Sequence, residues 1–150
     1  MNPPGNGEGG STGPPDRQTL RLLEGVLAED PTVATTEFEP NGSEPTLLRA
    51  SFETDRYPDT VEAARLDVRW FASGDFSMHY VETLADGDRW ECRWDRHPNP
   101  HDGRLHFHRP PTGDEVEALE MAAVHPLDVT ATVLAAVEPR IEGHWSADGS

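Results

Sequence analysis

Lysine is absent from this chain of 150 residues. Its twelve basic side chains are all arginine, set against 28 carboxylates, for a formal net charge of −16. A charge of that size and sign suggests a protein adapted to molar salt, where the Debye length shrinks to about 3 Å and surface acids repel one another only weakly. In dilute buffer the same charge works against the compact state. An acidic mimic of nucleic acid would gather its carboxylates in one block, whereas here they are spread along the chain. Halophilic adaptation is the expected reading.

Cysteine is nearly absent as well. The lone Cys92 excludes an internal disulfide framework and fits a reducing compartment. No stretch approaches the roughly 18 consecutive apolar residues that a membrane-crossing helix needs. The opening MNPPGNGEGGSTGPPD has neither the basic nor the apolar region of a secretory signal. A cytoplasmic location and no membrane partner are therefore expected. Neither a phosphate-binding loop nor a GxGxxG turn is present. The apolar fraction, 35%, is below the usual globular range. Its residues are nonetheless clustered and periodic, so folding is expected from Arg17 to Trp145.

Residues 1–15 are rich in Gly, Pro, Asn and Ser and read as a disordered tail. Residues 16–145 read as one α+β domain, and 146–150 as a short disordered C-terminal tail. Asp16 suits an N-cap, and Leu20, Leu22, Leu23, Val26 and Leu27 recur at helical spacing. This predicts a helix from Arg17 to Glu29, closed by Asp30-Pro31. β-Branched residues predict strands over Thr32–Phe38 and Thr46–Asp55, with NGSEP as the turn between them. Stronger strands follow at Val61–Phe71, Phe76–Leu84 and Arg89–Arg96, joined by ASGD and ADGD hairpin turns. His97 to Gly113 reads as a loop and Glu115 to Met121 as a short helical turn. Pro126 to Ile141 reads as a final helix with Val129, Val133, Leu134 and Val137 on one stripe. The expected architecture is an antiparallel five-stranded meander flanked by N-terminal and C-terminal helices packed on one face.

Alternation splits the three central strands into two faces. Leu66, Val68, Trp70, Phe76, Met78, Tyr80, Trp90, Cys92 and Trp94 form an apolar face that belongs under the helices. Arg65, Asp67, Arg69, Phe71, Ser77, His79, Val81, Arg89, Glu91, Arg93 and Asp95 lie on the other. Arginine offers a planar fork that matches phosphate oxygens, and a histidine beside it can move protons near neutral pH. Cross-strand ion pairing explains the same residues without any ligand. A second constellation, WDRHPNPHDGRLHFHRP, holds His97, His101, His106 and His108. Zinc would want three or four such ligands, with Asp95 or Asp102 completing the shell, but the spacing matches no specific zinc pattern. Acid–base or phosphate contact and a structural or solvated loop remain open. Cys92, between Trp90 and Trp94, reads as a buried thiol rather than a nucleophile.

Several features of this region occur together. They are His79-Tyr80 on a strand, an Asp86-Gly87 turn, Trp94-Asp95 at a strand end, His97-Pro98, the pair His106-x-His108, and the helix HPLDVTATVLAAVEPRI. From Val61 to Ile141 the chain thereby resembles the TumE-like family of small toxin components of prokaryotic type II toxin–antitoxin pairs, in its haloarchaeal branch. The resemblance implies a growth-inhibiting toxin with a cognate antitoxin as partner and RNA as target, through metal-independent phosphodiester cleavage or RNA binding. It supplies no catalytic residues, so roles rest on chemistry. His79, His97, His106 and His108 are the candidates for proton transfer. Arg65, Arg69, Arg93, Asp95 and His101 are the candidates for substrate contact, with Arg93 or Arg69 stabilising phosphorane charge. No metal and no cofactor is assigned. A non-enzymatic interaction or regulatory protein and a His-rich metal-binding domain are the alternatives. An exposed strand edge and Trp145 also invite association, including a homodimer.

Overall fold

The structure, a computed structural model, describes residues 13–96, 105–119 and 125–147. Helix α1 (Arg17–Ala28) starts where the Asp16 carboxylate accepts from the Thr19 backbone N–H at 3.0 Å and its hydroxyl at 2.9 Å. That satisfies a donor otherwise orphaned at a helix start. Leu20, Leu23 and Leu27 form its buried stripe. Among the described residues seven strands follow: β1 (Val33–Glu39), β2 (Leu47–Phe52), β3 (Val61–Trp70), β4 (Phe76–Leu84), β5 (Arg89–Arg96), β6 (Leu105–His108) and β7 (Val116–Leu119). They form one antiparallel sheet in sequence order. Helix α2 (Pro126–Ala147) comes last. No described helix is long and apolar enough to cross a membrane.

The sheet has seven strands rather than the expected five. β6 lies inside the stretch read as a loop, and β7 replaces the expected helical turn. In β6 the sequence LHFH alternates: Leu105 is buried, and the Phe107 ring packs 4.9 Å from that of Trp94. Four residues among prolines and glycines are too short a period to register as a strand on their own. β7 has little apolar content and an exposed Val116, so its pairing with β6, not local preference, decides its conformation. α2 also runs past Ile141 to Ala147, held by contacts from Arg140, His144 and Trp145.

Alternation puts Leu66, Val68, Trp70, Phe76, Met78, Tyr80, Cys92 and Trp94 in one core with the leucines of α1 and Val129, Val133 and Val137 of α2. Both helices thus cover the same face of the sheet. Trp70 and Phe76, directly opposed on β3 and β4, stack with centroids 4.4 Å apart.

The inward series on β4 continues from Tyr80 to Glu82, which has no exposed surface. Its carboxylate accepts from Arg140 Nε at 3.1 Å, Arg140 Nη2 at 2.8 Å, His144 Nε2 at 2.9 Å and the Tyr80 hydroxyl at 2.7 Å. The Tyr57 hydroxyl lies 2.7 Å from that of Tyr80. Burial pushes the Glu82 carboxyl up, but hydrogen bonds from Arg140, Tyr80 and His144 outweigh it and hold it below its ordinary 4.5. Removing one partner of such a knot strands the other charges. Glu82→Ala should therefore lower the unfolding free energy in guanidinium chloride by about 3–5 kcal/mol. A loss under about 1 kcal/mol would contradict this role for Glu82. A carboxyl lowered in the fold contributes stability that is complete above its unfolded pKa and lost as pH falls. The wild type should thus weaken progressively below pH 4.5. Glu82→Gln, compared by thermal melts across that range, should lack this component.

Candidate functional site

The face turned away from the helices is ordered by strand register. Arg49, Asp67, His79, Arg93 and His108 stand directly opposite one another across β2 to β6. A second row holds Arg69, Ser77, Asp95 and His106 across β3 to β6. A third holds Ser51, Arg65, Val81 and Glu91 across β2 to β5. Neighbouring strands lie about 4.8 Å apart, so the His79 and His108 backbones are about 10 Å apart with Arg93 between them. Of the expected site residues, Arg65, Arg69, His79, Arg93, Asp95, His106 and His108 share this face. His97 and His101, like Asp102, lie outside the described residues. β6 carries the His106/His108 pair onto the arginine face, which a loop assignment leaves undetermined. Cys92 sits on the helix-covered side and is buried.

Three carboxylates organise the face, each serving two basic groups. Asp67 accepts from Arg49 Nε at 2.8 Å and Arg65 Nε at 3.2 Å. Glu91 lies 2.7 Å from His79 Nε2 and 3.6 Å from Arg89 Nη2. Asp95 has no exposed surface, and its Oδ2 lies 2.9 Å from Arg93 Nε and 2.8 Å from His108 Nε2. Cross-strand ion pairing is therefore present. On β1 to β5 this face sets Arg49, Arg65, Arg69, Arg89 and Arg93 against Glu37, Glu39, Asp67, Glu91 and Asp95, before either histidine is protonated. In a chain of net charge −16 that is a locally balanced surface. The ion pairs hold Arg49, Arg65 and Arg93 in place.

The titrating groups follow from these contacts. Burial pushes the Asp67 carboxyl up, yet the hydrogen bonds from Arg49 and Arg65 more than reverse it, and it stays below its usual range. For His108 burial is the largest influence and the Arg93 cation adds to it. Together they exceed the opposing pull of Asp95, so its pKa lies below the ordinary 6.5. With Nε2–H directed at Asp95, neutral His108 keeps Nδ1 as its acceptor, 3.4 Å from Arg93 Nη2. Among the described residues no three His, Cys, Asp or Glu side chains gather in a way that could hold a metal ion.

Sequence reasoning missed two contributors. Arg49 belongs to the first row, and extending the alternation one strand back through LLRASF finds it. The Glu82–Arg140–His144 cluster was also missed. Its signals are the series Phe76, Met78, Tyr80, Glu82 and two basic residues four apart on α2.

An NMR titration of the histidine side chains should place the His108 midpoint below 6.5. Asp95→Asn, which removes the influence that raises it, should lower it further. A midpoint at or above 6.5 would contradict the assignment. Because the fold prefers neutral His108, its contribution to stability is complete above 6.5 and declines as pH falls through the lowered folded value.

The family model described as Toxin TumE matches residues 23–141. No curated protein and no solved structure matches. The match ends where the resemblance from Val61 to Ile141 ends, but begins much earlier, taking in the second half of α1 and all of β1 and β2. It therefore includes Arg49, every strand of the open face, Glu82 and Arg140. Matching well over half of its length, the chain belongs to the TumE toxin family.

Proposed function

We propose that this toxin acts on RNA at the open sheet face, cleaving a phosphodiester bond without metal. The observation that carries the proposal is the row His79–Arg93–His108, in which two carboxylate-partnered histidines flank one arginine. Neutral His108 takes the proton from a 2′-hydroxyl, whose oxygen attacks the adjacent phosphorus. Arg93 stabilises the charge that builds on the phosphorane oxygens. His79 gives its proton to the departing 5′-oxygen, leaving a 2′,3′-cyclic phosphate and a 5′-hydroxyl. Asp95 and Glu91 orient the two imidazoles. Arg65 and Arg69, with Arg49, hold neighbouring phosphates through their planar forks, and His106 adds a contact from β6; His97 and His101 are further candidate contacts from the sequence. An otherwise acidic surface repels a polyanion and directs it to this face.

On this reading a cognate antitoxin of a type II pair restrains the toxin in a salt-adapted cytoplasm. The test is induced expression without antitoxin, together with cleavage of a labelled single-stranded RNA by purified protein. His79→Ala and His108→Ala should each reduce cleavage by about 10²–10⁴-fold and relieve growth arrest. Arg69→Ala should mainly weaken RNA binding and flatten its salt dependence. Growth arrest with intact RNA, or histidine variants as active as the wild type, would overturn the proposal.

A further inference from the structure

The helix-covered side of the sheet holds a feature that RNA cleavage does not use. Between β5, β6 and α2 lies a cavity of about 190 Å³. Its walls include Tyr80, Trp90, Trp94 and Phe107, with Arg140 at one side and Ala136 at the mouth. Ala136 is exposed, so the cavity communicates with solvent. An apolar cavity of roughly 150 Å³ accommodates benzene, so this one is sized for a single ring. Its aromatic groups also present both faces and edges. The Tyr80 and Trp90 rings meet at 79° and those of Trp94 and Phe107 at 40°. Such arrangements suit a further ring inserted edge-on or offset.

Arg140 adds polarity. Its guanidinium carbon lies 3.6 Å from the centre of the Trp90 ring, and Glu82 takes hydrogen bonds from Nε and Nη2. A guanidinium has five N–H donors, so these two bonds leave three on a side chain that lines the cavity. The Glu82 contacts and the Trp90 stack also hold the guanidinium still, so little side-chain freedom is lost when a ligand uses it. We propose that this cavity is a binding site for a small single-ring aromatic molecule carrying a carbonyl or carboxylate acceptor, the ring between the aromatic walls and the acceptor on Arg140.

Ligand-observed NMR on the full chain tests this with three probes: benzoate, toluene and acetate. Benzoate should bind saturably with a dissociation constant of about 1 mM or tighter, as expected for a ligand of this size. Toluene should bind more weakly and acetate not saturably. Ala136→Trp, which fills the mouth from an exposed helix position, should abolish saturable benzoate binding while circular dichroism stays unchanged. Ala136→Leu serves the same purpose if tryptophan disturbs α2. The proposal fails if benzoate does not saturate on the wild type, if toluene binds as well as benzoate, or if a folded mouth-filling variant binds benzoate as before.

Discussion

Glu82 is held without solvent contact between β4 and α2, and its charge is tolerable there because Arg140, His144 and Tyr80 all direct hydrogen bonds at it. This knot docks the C-terminal half of α2 on the sheet, where apolar contacts from Val137 and Ile141 alone would leave much of the helix unanchored. It places both helices on one side. The opposite face then stays open, and that openness allows a row of arginines and histidines to meet a ligand at all. The same interaction sets Arg140 over Trp90 and so shapes the cavity.

A second carboxylate repeats the logic on the open side. Asp95 is as buried as Glu82, yet it faces away from the helices, covered by the groups it binds, Arg93 and His108. β5 therefore serves two sites through its period of two. Trp90, Cys92 and Trp94 line the core and cavity, whereas Arg89, Glu91, Arg93 and Asp95 carry the charged face. A one-residue slip of this strand would exchange the two sets and destroy both. In a chain so acidic, a face on which five arginines meet five carboxylates is ordered by its own ion pairs.

Much of this was legible in the sequence. The limits of β4 and β5 coincide with those expected from alternation, and the Asp16 cap and both helix starts lie where their signals put them. The placement of His106 and His108 was not legible, because β6 depends on pairing with β5 and its own four residues carry too little period. β7 was illegible for the same reason, an edge strand with almost nothing to bury. The Glu82 knot escaped because its partners lie 58 and 62 positions further along the chain, and local periodicity cannot join them. Burial of a carboxylate is itself a departure from pattern, and such departures mark the places where tertiary contacts decide.

On the proposed function the RNA-binding surface is the open face and not the helix-covered one. Backbone and side-chain NMR shifts, followed while a short single-stranded RNA made uncleavable by 2′-O-methylation is added, test it most directly. The perturbed signals should cluster on Arg65, Arg69, His79, Arg93 and His108, and fade as salt rises. Perturbations concentrated on α1 or α2, or none at all at moderate salt, would contradict it.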